Sequence, residues 1–249
     1  MKKIIISFLF IATTFYASAQ KAKVGGSTGS TTSNTGSSGS TLSNFTNDEA
    51  GTAIKEALTK GVSNAVDVVS LRDGYFKNNL IKIPFPPEVK TVETTLRQVG
   101  AGKIVDKVVV SLNRAAEDAA KAAKPIFINS IKQLTVTDAM NIVTGSQQDA
   151  ATNFLKRTTN DQLLQAFKPA IKKSLDKTYA TKYWREATTR YNRIPLVKKV
   201  NTDLTDYTTR KALDGLFIMI AKEETKIRQD PKAFGSNVID KVFGGLLGK

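Results

Sequence analysis

The sequence predicts an all-α fold, a single multi-helix, bundle-like domain, on three observations. From residue 46 onward apolar residues recur at three- and four-residue intervals, the spacing that lines one face of a helix. The segments carrying this period are bounded by cap-forming residues, glycine and proline. No two alternating apolar runs are joined by a hairpin turn, so no strand pair is expected. One extended, proline-containing strap interrupts the helices, and a Gly/Ser/Thr tail precedes them.

Residues 1–19 have the three parts of a secretory signal peptide. Lys2 and Lys3 supply the basic region, Ile4 to Ala12 is almost wholly apolar, and Ala17-Ser18-Ala19 is a small-x-small cleavage site. The apolar run falls short of the roughly 20 residues that span a bilayer. No cysteine follows the expected cleavage site, which excludes a lipid anchor there. Residues 20–45 are predicted to be a disordered low-complexity linker. Between Gly25 and Asn44 every residue except Leu42 is Gly, Ser, Thr or Asn, so apolar burial cannot offset the entropy of ordering the chain. The helical domain is expected over residues 46–249.

Within that domain Asn47 is expected to cap a first helix, with Asp48 and Glu49 set against its positive end. Ala50, Ile54, Ala57, Leu58, Val62, Ala65 and Val69 form its apolar face, and Arg72-Asp73-Gly74-Tyr75 turns the chain out of it. Pro84, Pro86 and Pro87 hold the following segment extended, with Ile81, Ile83 and Phe85 pinned to the domain. Pro87 opens a helix that runs to Val99, with Val89, Val92, Leu96 and Val99 inward. Gly100 to Gly102 breaks it, and 103–123 forms a long amphipathic helix with Ile104, Val105, Val108, Val109 and Leu112 on its apolar face. Short helices follow to Leu134 and to Gly145, then two more near 147–157 and 161–177, the latter with Pro169 inside it. A helix over 179–193 carries Trp184, the only tryptophan. The expected central helix opens near Asp203 or Asp206 and runs to Gln229, and its Leu213 to Ile220 turn predicts packing on all sides. A short amphipathic helix with Val238, Ile239, Val242, Phe243 and Leu246 closes the chain.

Composition excludes much chemistry. The 249 residues include no cysteine and no histidine. Cys nucleophiles, Ser-His-Asp triads, Cys/His zinc sites and histidine switches are therefore absent. No phosphate loop, dinucleotide fingerprint or calcium loop is present, and the sequence implies no cofactor and no metal. Loss of the leader would remove two of the 37 basic residues and none of the 22 acidic ones, leaving a net charge of +13. That excess favours an anionic neighbour, unless the lysine-rich helix faces are simply solvated.

Three groups of residues are candidates for a polar site. Asn113, Arg114 and Glu117 sit on one helix among small alanines, and Arg114 and Glu117 at i, i+3 can pair. They form either a buried ligand-binding network or a structural ion pair that orients helices. Lys211 and Asp214 repeat the spacing in the central helix. Arg157, followed by Thr158 and Thr159 at an expected helix end, could hold an anion, or the threonine could simply cap the next helix. With no histidine or cysteine, the remaining catalytic routes are a carboxylate pair or a Ser-Lys arrangement. Glu117 with Asp138 or Asp214 could form such a pair, although Asp138 is equally placed to cap a helix.

Six ordered motifs carry a family resemblance. They are Lys82-Ile83-Pro84-Phe85-Pro86, Leu112 to Glu117, Thr135 to Ala139, Arg157-Thr158-Thr159, Lys211 to Phe217, and Glu223-Glu224 with Ile227 to Pro231. From about Asp48 to its C-terminus the chain closely resembles the exported bacterial family known as domain of unknown function 4197. The resemblance implies a helical domain and export from a Gram-negative cell. It implies no reaction, ligand or catalytic residue.

The expected protein is a periplasmic or secreted helical binding or scaffold protein. Its expected partner is an anionic or amphipathic envelope component, such as phospholipid or lipopolysaccharide, or another envelope protein. Export makes nucleic acid an unexpected partner, and nothing after the leader is long and apolar enough to cross a membrane. The alternatives are a carrier of a small apolar ligand and a carboxylate-dependent hydrolase of envelope polymers.

Overall fold

The computed structural model describes residues 45–245 apart from 99, 101, 194, 197, 198, 200 and 202. The expected signal peptide, the linker up to residue 44, Val99 and Leu246 lie outside the described residues. Among those described there are nine α-helices and no strand, as the helical period requires. No helix among them is long and apolar enough to cross a membrane.

Helix α1 spans Asn47–Val69. Its cap is Thr46, not Asn47. The Thr46 hydroxyl accepts from the Glu49 amide, and the Glu49 carboxylate accepts from the Thr46 amide, a reciprocal pair that satisfies two otherwise orphaned donors. The strap follows, with Ile81, Ile83 and Phe85 buried as expected. A 3-10 turn, Pro87–Val89, leads into α2 (Lys90–Gln98), and Gly100, at φ 78, makes the turn toward α3 (Gly102–Ala120). Ile104, expected inward, is half exposed, while the adjacent Val105 is fully buried and carries the inward face of that turn. Helices α4 (Ala123–Lys132) and α5 (Val136–Thr144) come next. Thr135 caps α5, and Asp138 is the third-position partner of that cap instead of the cap itself.

The two helices expected over 147–177 are one, α6 (Ala150–Lys177). The polar run at Arg157 to Asn160 resembles a helix boundary, but the Thr158 and Thr159 hydroxyls donate back to the carbonyls of Phe154 and Leu155. The buried stripe Leu155, Thr159, Leu163, Phe167, Ile171, Leu175 continues unbroken beneath them. Pro169 lies on the exposed side, where the hydrogen bond it cannot make leaves a carbonyl near water. Helix α7 is Ala180–Tyr191, and α8 is Leu204–Gln229, capped by Asp203. A short α9 (Asn237–Ile239) runs into a π-helical turn at Asp240–Gly244.

Helix α8 is the centre of the bundle, packed against α1, α3, α6 and α7. One part of its expected all-round burial is corrected. Ile218 is 46 % exposed while Leu213, Leu216, Phe217, Met219 and Ile220 are buried, so α8 keeps a narrow solvent-facing strip through Lys211, Asp214, Ile218 and Lys222. Phe127 and Phe217 meet edge to face at 5.9 Å, as do Phe85 and Trp184 at 5.6 Å. Gly215 lets the strap lie directly on α8, since a Cβ there would stand 2.8 Å from the Tyr75 ring.

Candidate functional site

Asn113, Arg114 and Glu117 do come together, on the inner side of α3, and their partners outside α3 lie between Asp73 and Ile83, where the turn out of α1 and the strap form one continuous segment. The Glu117 carboxylate is 3 % exposed. Its Oε1 accepts from the amides of Tyr75 at 3.1 Å and Phe76 at 3.2 Å. Its Oε2 accepts from Arg114 Nη1 at 2.6 Å, and Arg114 Nη2 donates to Asp73 Oδ1 at 2.6 Å. One helical turn away, the fully buried Asn113 amide accepts from the Ile83 N–H at 2.9 Å and donates to the Ile83 carbonyl at 2.8 Å. It thus gives the strap the two bonds a neighbouring strand would give, and a further bond to the Val109 carbonyl uses its remaining donor.

The strap answers with its own conformation. Asp73 has φ 74, a left-handed geometry that Asp tolerates better than most residues. This turns its carboxylate toward Arg114 and sends the buried Tyr75 ring inward, where its hydroxyl donates to the Ala212 carbonyl of α8 at 2.7 Å. The cluster therefore ties α1's exit, the strap, α3 and α8 together, and every oxygen of Glu117 is engaged in doing so. These are the contacts that the structural alternative requires.

Hydrogen bonds from Arg114 first and Lys77 second hold the Asp73 carboxyl below its ordinary value near 3.8. Arg114 is raised in turn, chiefly by its bond to Glu117. Burial pushes the Tyr75 phenol well above its usual value near 10. A lowered carboxyl contributes stability above its unfolded pKa and loses it as pH falls through the folded one, whereas a raised phenol contributes below its unfolded pKa and loses it as pH rises. With no histidine to titrate, stability should be flat from roughly pH 5 to 9. It should fall below about pH 4 as Asp73, Glu49, Glu56, Glu93 and Asp176, all lowered by ion-pair hydrogen bonds, take up protons. Above about pH 10 it should fall by about 1.4 kcal/mol per pH unit from Tyr75 alone. Urea midpoints across this range check the profile, and a transition between pH 6 and 8 would contradict it.

The other expected site residues do not join this cluster. Lys211 and Asp214 form an exposed i, i+3 pair at 3.8 Å, and Arg157 lies exposed over the Phe154 ring on α6. Glu117 is buried beneath its donors, Asp214 is on the surface with Lys211, and Asp138 is committed to Thr135. No two of these carboxylates face each other across a cleft, which is the arrangement glycoside hydrolysis needs.

A second buried polar group went unremarked in the sequence except as part of a motif. Glu224 of α8 accepts from the amides of Ala151 at 3.0 Å and Thr152 at 2.9 Å and from the Thr152 hydroxyl at 2.8 Å. It thereby caps α6, whose own preceding residue, Asp149, makes no side-chain cap. Arg228 pairs with Glu224 at 2.9 Å and reaches the Ile142 carbonyl of α5. Their i, i+4 spacing was the one available signal. The apolar crevice beside this pair, lined by Ile54, Leu58, Ile220, Ile227 and Phe243, has a volume of about 20 Å³. That is room for one water, against the several hundred Å³ of a ligand pocket.

No curated protein and no solved structure is significantly similar to this chain. The family described as Protein of unknown function (DUF4197) matches residues 44–244, a span that contains the clamp on the strap, the cap on α6 and all nine helices. The chain belongs to that family.

Proposed function

We propose that this is an exported helical binding or scaffold protein whose partner is an anionic component of the cell envelope, met at the protein surface. One observation carries the reading. All six basic residues of α6, Lys156, Arg157, Lys168, Lys172, Lys173 and Lys177, are exposed, against only two acidic residues in the same 28-residue helix. By contrast the buried polar groups are spent on holding helices and strap together, and the apolar crevice is too small for a carried ligand. Surface charge of this kind attracts anions over about a Debye length and is screened by salt.

The test is co-sedimentation of the purified mature protein with anionic vesicles or with lipopolysaccharide. Retention at low ionic strength, falling steeply as salt rises, is the expected result. Absence of retention at low ionic strength counts against the proposal.

A further inference from the structure

Two open surface clefts of similar size differ in what their cations do. The cleft between α1, α8 and the 3-10 turn at Pro231–Phe234, of about 500 Å³, contains Lys60 and Lys226. Both are already paired, Lys60 with Glu56 and Lys226 with Glu223. The cleft where the end of α6 meets the start of α7 and of α8, of about 430 Å³, is different. Lys168, Lys172, Lys182 and Arg185 line it against two carboxylates. Asp176 is bonded to Lys172, and Asp203 caps α8 by accepting from the amides of Thr205 and Asp206. Among the described residues Lys168, Lys182 and Arg185 form no ion pair, although Arg185 adds its charge to the field at Asp176.

The helix ends nearly cancel here. The positive end of α7 favours an anion and the negative end of α6 opposes it, each by a fraction of the effect of a full charge, and the positive end of α8 is already met by the Asp203 carboxylate. The side chains therefore decide, and they leave a surplus of positive charge with donors converging from two helices. Lysine ammonium and arginine guanidinium groups so arranged suit an anion with several acceptor oxygens and more than one direction of approach, which describes a phosphate better than a carboxylate. The volume admits a phosphate together with the group that carries it. Tyr179 lines the same cleft and is 64 % exposed, the amphipathic side chain that sits well at a lipid headgroup.

From this we infer that the α6–α7 cleft is a phosphate-binding site, with Lys168, Lys182 and Arg185 as its principal ligands. The inference rests on the proposed function above and assigns it a location and a chemical class.

The experiment compares the full mature chain with two triple variants carrying the same change in net charge. One is Lys168→Glu, Lys182→Glu, Arg185→Glu. The other, Lys107→Glu, Lys132→Glu, Lys222→Glu, alters exposed lysines outside the cleft that form no ion pair among the described residues. Each protein is titrated with phosphatidylcholine vesicles with and without phosphatidylglycerol, and with inorganic phosphate while backbone amide shifts are followed. The cleft triple should lose at least about a hundredfold in affinity for the anionic vesicles, about fivefold for each of the three cations withdrawn before the added carboxylates are counted, and the control triple less than about threefold. The milder pair Lys182→Gln, Arg185→Gln should lose about thirtyfold, which keeps the test informative if the charge-reversed triple folds poorly. Saturable shifts at 168–185 with inorganic phosphate identify the phosphate group as sufficient, whereas cleft-dependent binding to vesicles alone identifies the lipid headgroup. Either supports the site. Equal losses in the two triples would overturn the site while leaving a diffuse anionic partner standing. No binding of the unmodified protein to either probe would overturn both.

Discussion

Replacing Glu117 with alanine is expected to destabilise the fold by about 3–5 kcal/mol, the range for breaking a buried ion pair from one side. The change strips the acceptor from two strap amides, Tyr75 and Phe76, and leaves Arg114 with Asp73 as its only carboxylate. An orphaned buried donor costs about 1–3 kcal/mol by itself, so the two amides alone reach the lower end of that range. Glu117→Gln keeps an acceptor for the two amides but loses the charge and turns an NH2 group toward Arg114, where Oε2 had accepted, so it should cost about 2 kcal/mol. Urea denaturation with an unchanged slope measures both. A loss below about 1 kcal/mol for the alanine variant would mean that the strap is held by Ile81, Ile83 and Phe85 burial and not by the clamp.

The second large effect is expected at Glu224. Its removal deprives α6 of its cap at two backbone amides and one hydroxyl, and leaves Arg228, only 13 % exposed in its side chain, with the Ile142 carbonyl and the face of the Phe243 ring but no carboxylate. About 3–5 kcal/mol is again the expected cost for Glu224→Ala. Because Glu224 and Arg228 act on one another, Arg228→Ala added to Glu224→Ala should cost less than the sum of the two single losses. Full additivity would show that the two side chains work independently. The damage should be local at first, with faster amide exchange at the start of α6 and in α5, while the α3–strap clamp keeps its protection.

The parts of this account that were legible in the sequence are those set by local spacing. The 3.6-residue period placed α1, α3 and α8, and the prolines at 84, 86 and 87 identified the strap and the alternation that buries Ile81, Ile83 and Phe85. Arg114 and Glu117 could be paired from their i, i+3 spacing, but their partners Asp73, Tyr75 and Phe76 lie about forty residues earlier, and no local rule reaches that far. The same limit hid Glu224, whose ligands on α6 are 72 and 73 residues away. The false boundary at Arg157 to Asn160 has a different origin. Threonine and asparagine favour caps because their side chains compete for backbone groups, yet here the two threonines turn to carbonyls within their own helix, and the buried stripe beneath outweighs the preference. Lys168, Lys182 and Arg185 were unremarkable as a string and become a group only when α7 folds back beside α6.

The central claim is that the Asn113, Arg114 and Glu117 cluster is a clamp on the strap and not a site for an outside molecule. Native-state hydrogen exchange at the amides of Tyr75, Phe76 and Ile83 tests it most directly, since each donates to one of these side chains. Protection approaching that of the α8 core, unchanged when anionic vesicles are added, is the predicted result. Exchange at the rate of an exposed loop, or protection that appears only with a bound partner, would contradict the account.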